Sequence, residues 1–96
     1  MKKLVEKQIV AQSIVEEDGG YITLLGKRVF LHCMNYNYAG LLSGVNTTTL
    51  ELTDASVVFE TGAYTSFTWK DAQKVPAEKL IVNLGSIEAC WESNKT

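Results

Sequence analysis

The fold is decided by residues 27–60, which read KRVFLHCM-NYN-YAGLLSGV-NTT-TLELTDASVVFE. Apolar residues run almost without a break from Lys27 to Met34, which is typical of a strand. Residues 35–37 and 46–48 tolerate tight-turn geometry, so each segment predicts a reversal of the chain. Three successive antiparallel strands are therefore expected, at 27–34, 38–45 and 49–60.

Two glycines and a change of parity indicate that these strands are bent. Gly40 and Gly44 lie inside the second strand, where glycine is typical of sharp bending or of close approach by another backbone. In the third strand the inward face switches near Asp54, which a bulge or a strong bend would produce. The apolar residues before the switch are Leu50 and Leu52, and those after it are Ala55, Val57 and Phe59.

Short strands are also predicted downstream. Residues 64–69 are rich in β-branched and aromatic side chains, which favours a strand. Residues 70–76 break the pattern, and two short strands at 80–84 and 86–91 follow the only proline. Regular short strands without helical insertions predict an all-β domain, and at this length a small, strongly bent barrel.

The N-terminal segment is ambiguous. Leu4-Val5, Ile9-Val10 and Ile14-Val15 recur every five residues, which matches neither a helix nor a strand. Lys, Glu, Gln, Leu and Ala favour a short helix over part of residues 2–12. The alternative is a strand at 8–15 paired with another at 21–25.

Length and composition limit the class of protein. The 96 residues, 46% of them apolar and 21% charged, predict a single domain spanning 1–96. No segment has the apolar length of a membrane span, and residues 1–7 lack the apolar core of a signal peptide. We therefore expect a cytoplasmic protein with no membrane partner. A chain this short buries little surface alone, so self-association is an option.

The composition offers little catalytic chemistry. Cys33 and Cys90 form no Cys-x-x-Cys motif and are expected to be small buried residues. The single histidine, His32, lies on the strand face opposite to Cys33, which disfavours a nucleophile pair. No glycine-rich phosphate loop is present in the sequence. We expect a non-enzymatic protein without a metal, a cofactor or a small-molecule substrate.

The overall charge of the chain does not favour a polyanion such as nucleic acid as its partner. Nine Lys and Arg against eleven Asp and Glu give a net charge of −2. Basic residues cluster at Lys2, Lys3 and Lys7 and again at Lys27-Arg28. Such clusters are more often solvated surface positions than nucleic-acid contacts.

Several segments together resemble a known family. Residues 26–31, 38–46 and 50–55 look like the first Sm motif, and residues 81–87 are similar to the second, in which an apolar strand ends at a glycine. The resemblance covers about residues 21–91, and its most specific part is 40–55. The chain thus resembles the Sm-like (LSm) RNA-binding proteins, and among them the divergent members of bacteriophage, cyanophage-like origin, which would place it in the cytoplasm of a host cell.

The resemblance implies a five-stranded bent barrel and a ring. In this family exposed strand edges pair between copies and close a homo-oligomeric ring, typically of about five to seven subunits. Trp91, Ile87 and Val57 are candidates for the seam between copies. Simple burial in the core is an equal alternative for all three.

The resemblance also implies binding of single-stranded RNA in the ring lumen, but the matched positions differ. The family's Asp and aromatic positions hold Asn46 and Thr48, and its Asn and Arg positions hold Leu50 and Leu84. A stacking platform and a cation are therefore absent at the matched positions. A base edge can still be hydrogen-bonded by Asn46, Thr48 and Asn83, although Asn46 is equally a plain turn residue.

Two functions follow from these observations. In the first, the ring binds single-stranded RNA through the polar residues above, with Lys27 or Arg28 touching phosphates. In the second, the ring is a structural or protein-interaction module that has lost RNA binding. The aromatic residues Tyr64, Phe67 and Trp69 are expected to pack within a hairpin, with stacking on bases or on a neighbouring subunit as the alternative.

Overall fold

The computed structural model describes residues 20–96, which form an all-β fold as predicted. The helix expected within 2–12, its strand alternative at 8–15, and Lys2, Lys3 and Lys7 lie outside these residues. No helix in the described part is long and apolar enough to cross a membrane. The strands are β1 (Arg28–Cys33), β2 (Asn37–Val45), β3 (Thr49–Glu60), β4 (Asp71–Lys74), β5 (Lys79–Asn83) and β6 (Ile87–Glu92), with 3₁₀ turns at Gly20–Leu24 and Leu84–Ser86.

The first three strands confirm the sequence prediction. β3 has the predicted bounds, while β1 and β2 differ by a residue at their ends. The turn between β1 and β2 lies one residue earlier than expected, because the Asn37 side chain closes it by accepting a hydrogen bond from the Cys33 amide at 3.3 Å. Asn37 therefore begins β2 and pairs with His32.

Two predicted strands are wrong. Residues 64–69 form a loop, in which the Ser66 amide donates to the Ala63 carbonyl at 3.0 Å. Trp69 of this loop covers the sheet from outside instead of pairing within it, packing against Phe30. The alternative strand at 21–25 is also not formed, because the chain there makes a 3₁₀ turn in which the Leu25 amide donates to the Ile22 carbonyl at 3.1 Å.

The sheet is open and has six strands instead of five. Its order is β4-β3-β2-β1-β6, and β5 also pairs with β3, on the same side of it as β4. The two short strands follow one another along β3, since β4 pairs with its residues 56–60 and β5 with its residues 49–53. Pro76, which has no amide hydrogen to donate, lies between them. One edge of the sheet is therefore β6, and the other is β4 together with β5.

The predicted bend in β3 is confirmed at Asp54, whose φ is 52°. The backbone also approaches Gly40 closely, because a Cβ on Gly40 would lie 3.0 Å from the Ala55 Cα. Beyond the bend the prediction is partly wrong, since Val58 is buried and Phe59 is half exposed. The register shifts again between Val58 and Glu60, and the other face of the sheet is covered there by Trp69.

The core has two parts on opposite faces of the bent sheet. The main cluster lies inside the bend, and the smaller one joins Phe30, Ala39 and Val58 to Trp69. Because both faces of β1 are covered, three consecutive residues of that strand are buried. The buried residues of the main cluster are Val29, Leu31, Cys33, Leu42, Val45, Leu50, Leu52, Ala55 and Val82.

Candidate functional site

Two turns lie side by side at one end of the sheet. In the β2–β3 turn the Asn46 amide donates to the Thr49 carbonyl at 2.8 Å, and Asn46 Nδ2 donates to Thr49 Oγ1 at 3.1 Å. In the turn after β5 the Leu84 amide donates to the Thr48 carbonyl at 2.9 Å. Thr49 is also the register partner of Asn83. The structure thus brings Asn46, Thr48 and Asn83 together, although the first and the last are 37 positions apart in the sequence.

Polar groups at these turns are available to a ligand. Asn46, Thr48 and Asn83 are exposed to solvent. Within residues 20–96, neither the Thr48 hydroxyl nor the Asn83 amide group has a hydrogen-bond partner, while the Asn83 carbonyl accepts from Ser86 Oγ at 2.9 Å. An amide and a hydroxyl both donate and accept, so this cluster can hydrogen-bond the edge of a nucleobase.

Lys27 and Arg28 lie away from these turns. Arg28 pairs in register with Leu41, five residues before Asn46, which is roughly 16 Å of extended strand. Its guanidinium donates to Asp54 Oδ2 at 2.9 Å, and Lys27 Nζ lies 3.8 Å from Glu92 Oε1. The structure does not join the two basic residues to the polar cluster.

The other exposed cations among residues 20–96 are also close to carboxylates. Lys70 Nζ lies 3.8 Å from Glu60 Oε1, and Lys79 Nζ lies 3.6 Å from Glu51 Oε1. Lys74 contacts the Asp54 carboxylate. Exposed ion pairs contribute only about 0–1 kcal/mol each, so a phosphate can compete for these cations.

Apolar side chains at two of the matched family positions belong to the core. Leu50 is fully buried in the main cluster, and Leu84 is half-buried against it. Neither position can present a hydrogen-bonding or charged side chain to a ligand. With Thr48 at the aromatic position as well, the polar cluster lacks the aromatic ring, the asparagine and the cation of the pattern that the sequence resembles.

The two open edges carry exposed apolar side chains. Trp91 on β6 is 40% exposed, and Ile81 on β5 is 61% exposed. Ile87 packs against the main core, which agrees with core burial, the alternative to a place in the seam between copies. Val57 is not at an edge, since it pairs with Tyr38 on one side and with Gln73 on the other. Val57 was therefore a wrong candidate for a seam, because the sequence did not reveal β4 as the next strand.

Sequence analysis missed Ile81 as an edge residue. The apolar run at 80–82 gave no reason to single it out, but strand alternation supplies one. Val82 is buried in the main cluster, so its neighbour Ile81 faces the other way. On an edge strand, that orientation leaves the side chain in solvent.

The aromatic loop packs on the outer face of the sheet. The Trp69 ring lies 5.1 Å from that of Phe30, and Tyr64 meets Trp91 edge to face at 6.1 Å between centroids. Packing within the chain is thus confirmed for Tyr64 and Trp69, although the hairpin is not formed. Phe67 is 88% exposed and has no such packing.

The two cysteines and the single histidine differ in their surroundings. Burial raises the pKa of the Cys90 thiol to about 11 and also raises that of Cys33. His32 is exposed, with Nδ1 3.0 Å from Asn37 Oδ1 and Nε2 3.6 Å from Glu88 Oε1. Across residues 20–96, no group of three His, Cys, Asp or Glu side chains could hold a metal ion. Comparisons of the chain with protein-family models, with curated proteins and with solved structures found no match.

Proposed function

We propose that this protein is Sm-like, forms a homo-oligomeric ring and binds single-stranded RNA through the polar cluster of Asn46, Thr48 and Asn83. The observation that carries the proposal is the meeting of the two turns at one end of a bent sheet with two open edges. The turns supply the Thr48 hydroxyl and the Asn83 amide group, which have no hydrogen-bond partner within residues 20–96, and the open edges would allow copies of the chain to repeat these groups around an axis.

The open edges support the ring. An edge strand exposes unpaired amides and carbonyls, and proteins usually cover such edges. Pairing β6 of one copy with β5 of the next would satisfy these two strands, and a closed ring would leave no β5 or β6 edge unpaired, while β4 would keep its outer edge. The pairing would also bury Trp91 and Ile81, the exposed apolar residues of the two edges.

The polar cluster supports the RNA site. Repetition around the ring would place one copy of Asn46, Thr48 and Asn83 per subunit near the axis, where each set can bond one base edge. Without an aromatic platform, each base loses the roughly 1–3 kcal/mol that stacking supplies. Binding should therefore be weak for each base and depend on several subunits acting together.

A second function is favoured by the charges. Each exposed Lys and Arg within residues 20–96 lies near a carboxylate, and Leu50 and Leu84 replace polar family positions. A ring with these properties would serve as a structural or protein-interaction module. Both functions require the ring and differ only in RNA binding.

RNA binding is tested by titrating fluorescent oligo(U) and oligo(A) at two salt concentrations. Salt-sensitive binding at micromolar protein is expected, since phosphate contacts release counterions. Asn83→Ala should weaken binding, whereas Asn35→Ala, which alters an exposed asparagine in the β1–β2 turn, should leave it unchanged. An assembled ring without salt-sensitive binding would reject the RNA site and favour the second function.

A further inference from the structure

Lys95 is a buried lysine held by aromatic rings. Lys95 is only 8% exposed to solvent, although lysine is rarely buried without a charged partner. No carboxylate of residues 20–96 lies within ion-pair distance of its ammonium group. The group instead donates to the Ala63 carbonyl at 2.7 Å and lies 4.7 Å from the Trp69 ring centroid and 5.9 Å from that of Tyr64.

These three partners form what we call the ammonium cage: the Ala63 carbonyl and the rings of Tyr64 and Trp69. Ring faces attract a cation through their quadrupole, and a carbonyl accepts one hydrogen bond from it. The rings are fixed from behind, since Trp69 packs on Phe30, and Tyr64 meets Trp91. The cage groups therefore belong to the 61–70 loop and are supported by the sheet, and the Lys95 side chain fills the cage.

Lys95 enters the cage on a segment that is held like a bound peptide. The Ser93 amide donates to the Arg28 carbonyl at 2.9 Å, continuing the line of β6 beside β1. The Thr96 amide donates to the Phe67 carbonyl at 3.0 Å, and the Trp69 amide donates to the Thr96 carbonyl at 3.3 Å. Asn94 and Thr96 are exposed on either side of the buried lysine. Main-chain hydrogen bonds with one anchored side chain are the pattern of strand-addition peptide recognition.

We propose that the ammonium cage is a binding site for the side chain of lysine, or of mono- or dimethyl-lysine, presented on an extended peptide, and that Lys95 occupies it within the same chain. The carbonyl sets the chemistry of the ligand. An alkylammonium that keeps an N–H can bond Ala63 and contact both rings, whereas a quaternary ammonium contacts the rings alone. The site therefore selects for ammonium groups with at least one hydrogen.

The test is chemical rescue of Lys95→Ala. The probe is N,N-dimethylbutylammonium, which matches the dimethyl-lysine side chain and keeps one N–H. It should raise the melting temperature of Lys95→Ala saturably, because a ligand that binds only the folded state stabilises it. N,N,N-trimethylbutylammonium should raise it less, and potassium chloride at equal ionic strength should not raise it saturably.

Matched variants separate the cage from a general salt effect. Lys79→Ala removes an exposed lysine from β5 and should show no rescue, as should the wild type, whose cage is filled. Adding Trp69→Leu to Lys95→Ala should abolish the rescue. If Lys95→Ala is unfolded without the probe, folding induced by the probe is followed by circular dichroism, and Lys95→Ser, which also leaves the cage empty, is tested in the same way. Equal responses of Lys95→Ala and Lys79→Ala, rescue that survives Trp69→Leu, or no response of either Lys95 variant would overturn the proposal.

Discussion

Replacing Gly40 by alanine tests whether the bend between β2 and β3 depends on close backbone approach. The added Cβ would lie 3.0 Å from both the Ala55 Cα and the Thr53 carbonyl oxygen, and 3.3 Å from the Ala55 Cβ. The two nearest atoms are backbone, so they cannot move aside as a flexible side chain would. Overpacking of this kind costs about 1–3 kcal/mol.

A smaller effect opposes this cost. Replacing glycine by alanine restricts the unfolded chain and stabilises the fold by about 0.4–1 kcal/mol where the residue fits. Taking the middle of each range, the net loss for Gly40→Ala should be about 1–2 kcal/mol. For a domain of this size such a loss lowers the melting temperature by about 4–16 °C.

The assay is thermal and urea unfolding followed by circular dichroism at a fixed protein concentration, since self-association would also change the apparent stability. Gly85→Ala is the matched control, because a Cβ on Gly85 would meet no atom within 4 Å. It should keep or slightly raise the melting temperature. Gly40→Ala unfolding together with the wild type and with Gly85→Ala would refute the close approach as the reason for this glycine.

Further predictions concern the core, the bend at Asp54 and the Cys90 thiol. Leu52→Ala, at a position with 0% exposure, should lower the free energy of unfolding by about 2–5 kcal/mol in urea melts, and a loss below 1 kcal/mol would contradict its place in the core. Asp54→Val should destabilise the protein more than Asp54→Asn in the same assay, since a β-branched residue is strained at a φ of 52° while Asn tolerates it, and equal losses would point to the ion pairs instead. Because burial raises the Cys90 pKa from 9.0 to about 11, the folded protein holds this proton more tightly than the unfolded chain does, so stability should fall as pH rises from about 9 to 11. Alkylation of Cys90 at pH 8 should accordingly be much slower in the native than in the unfolded protein, and equal rates would show an accessible thiolate.

The middle of the fold could be predicted because local pattern and tertiary packing agree there. The bounds of β3 and the bend at Asp54 follow from one run of apolar residues that changes parity, and both are confirmed. The loop at 64–69 could not be predicted in this way. β-propensity reports how well a side chain fits a half-buried surface, and Trp69 finds such a surface on the outside of the sheet without joining it.

The candidate site was predictable only in part. Asn46 and Asn83 were identified from their motif positions, but that they share one end of the sheet follows from the pairing of β3 with β5. The ion pair of Arg28 with Asp54 links residues 26 positions apart, and no sequence pattern predicts that these two side chains meet. The burial of Lys95 in the ammonium cage could not be predicted either, because a polar segment such as residues 92–96 is typical of solvent-exposed chain.

We propose that the edge strands β6 and β5 join copies of this chain into a closed ring. Sedimentation velocity combined with light scattering over a range of micromolar concentrations tests it directly. We predict one discrete species of about five to seven times the 10.6 kDa chain mass, since closure fixes the subunit number. A monomer at all concentrations, or a series of ever larger polymers, would contradict the ring and both functions that depend on it.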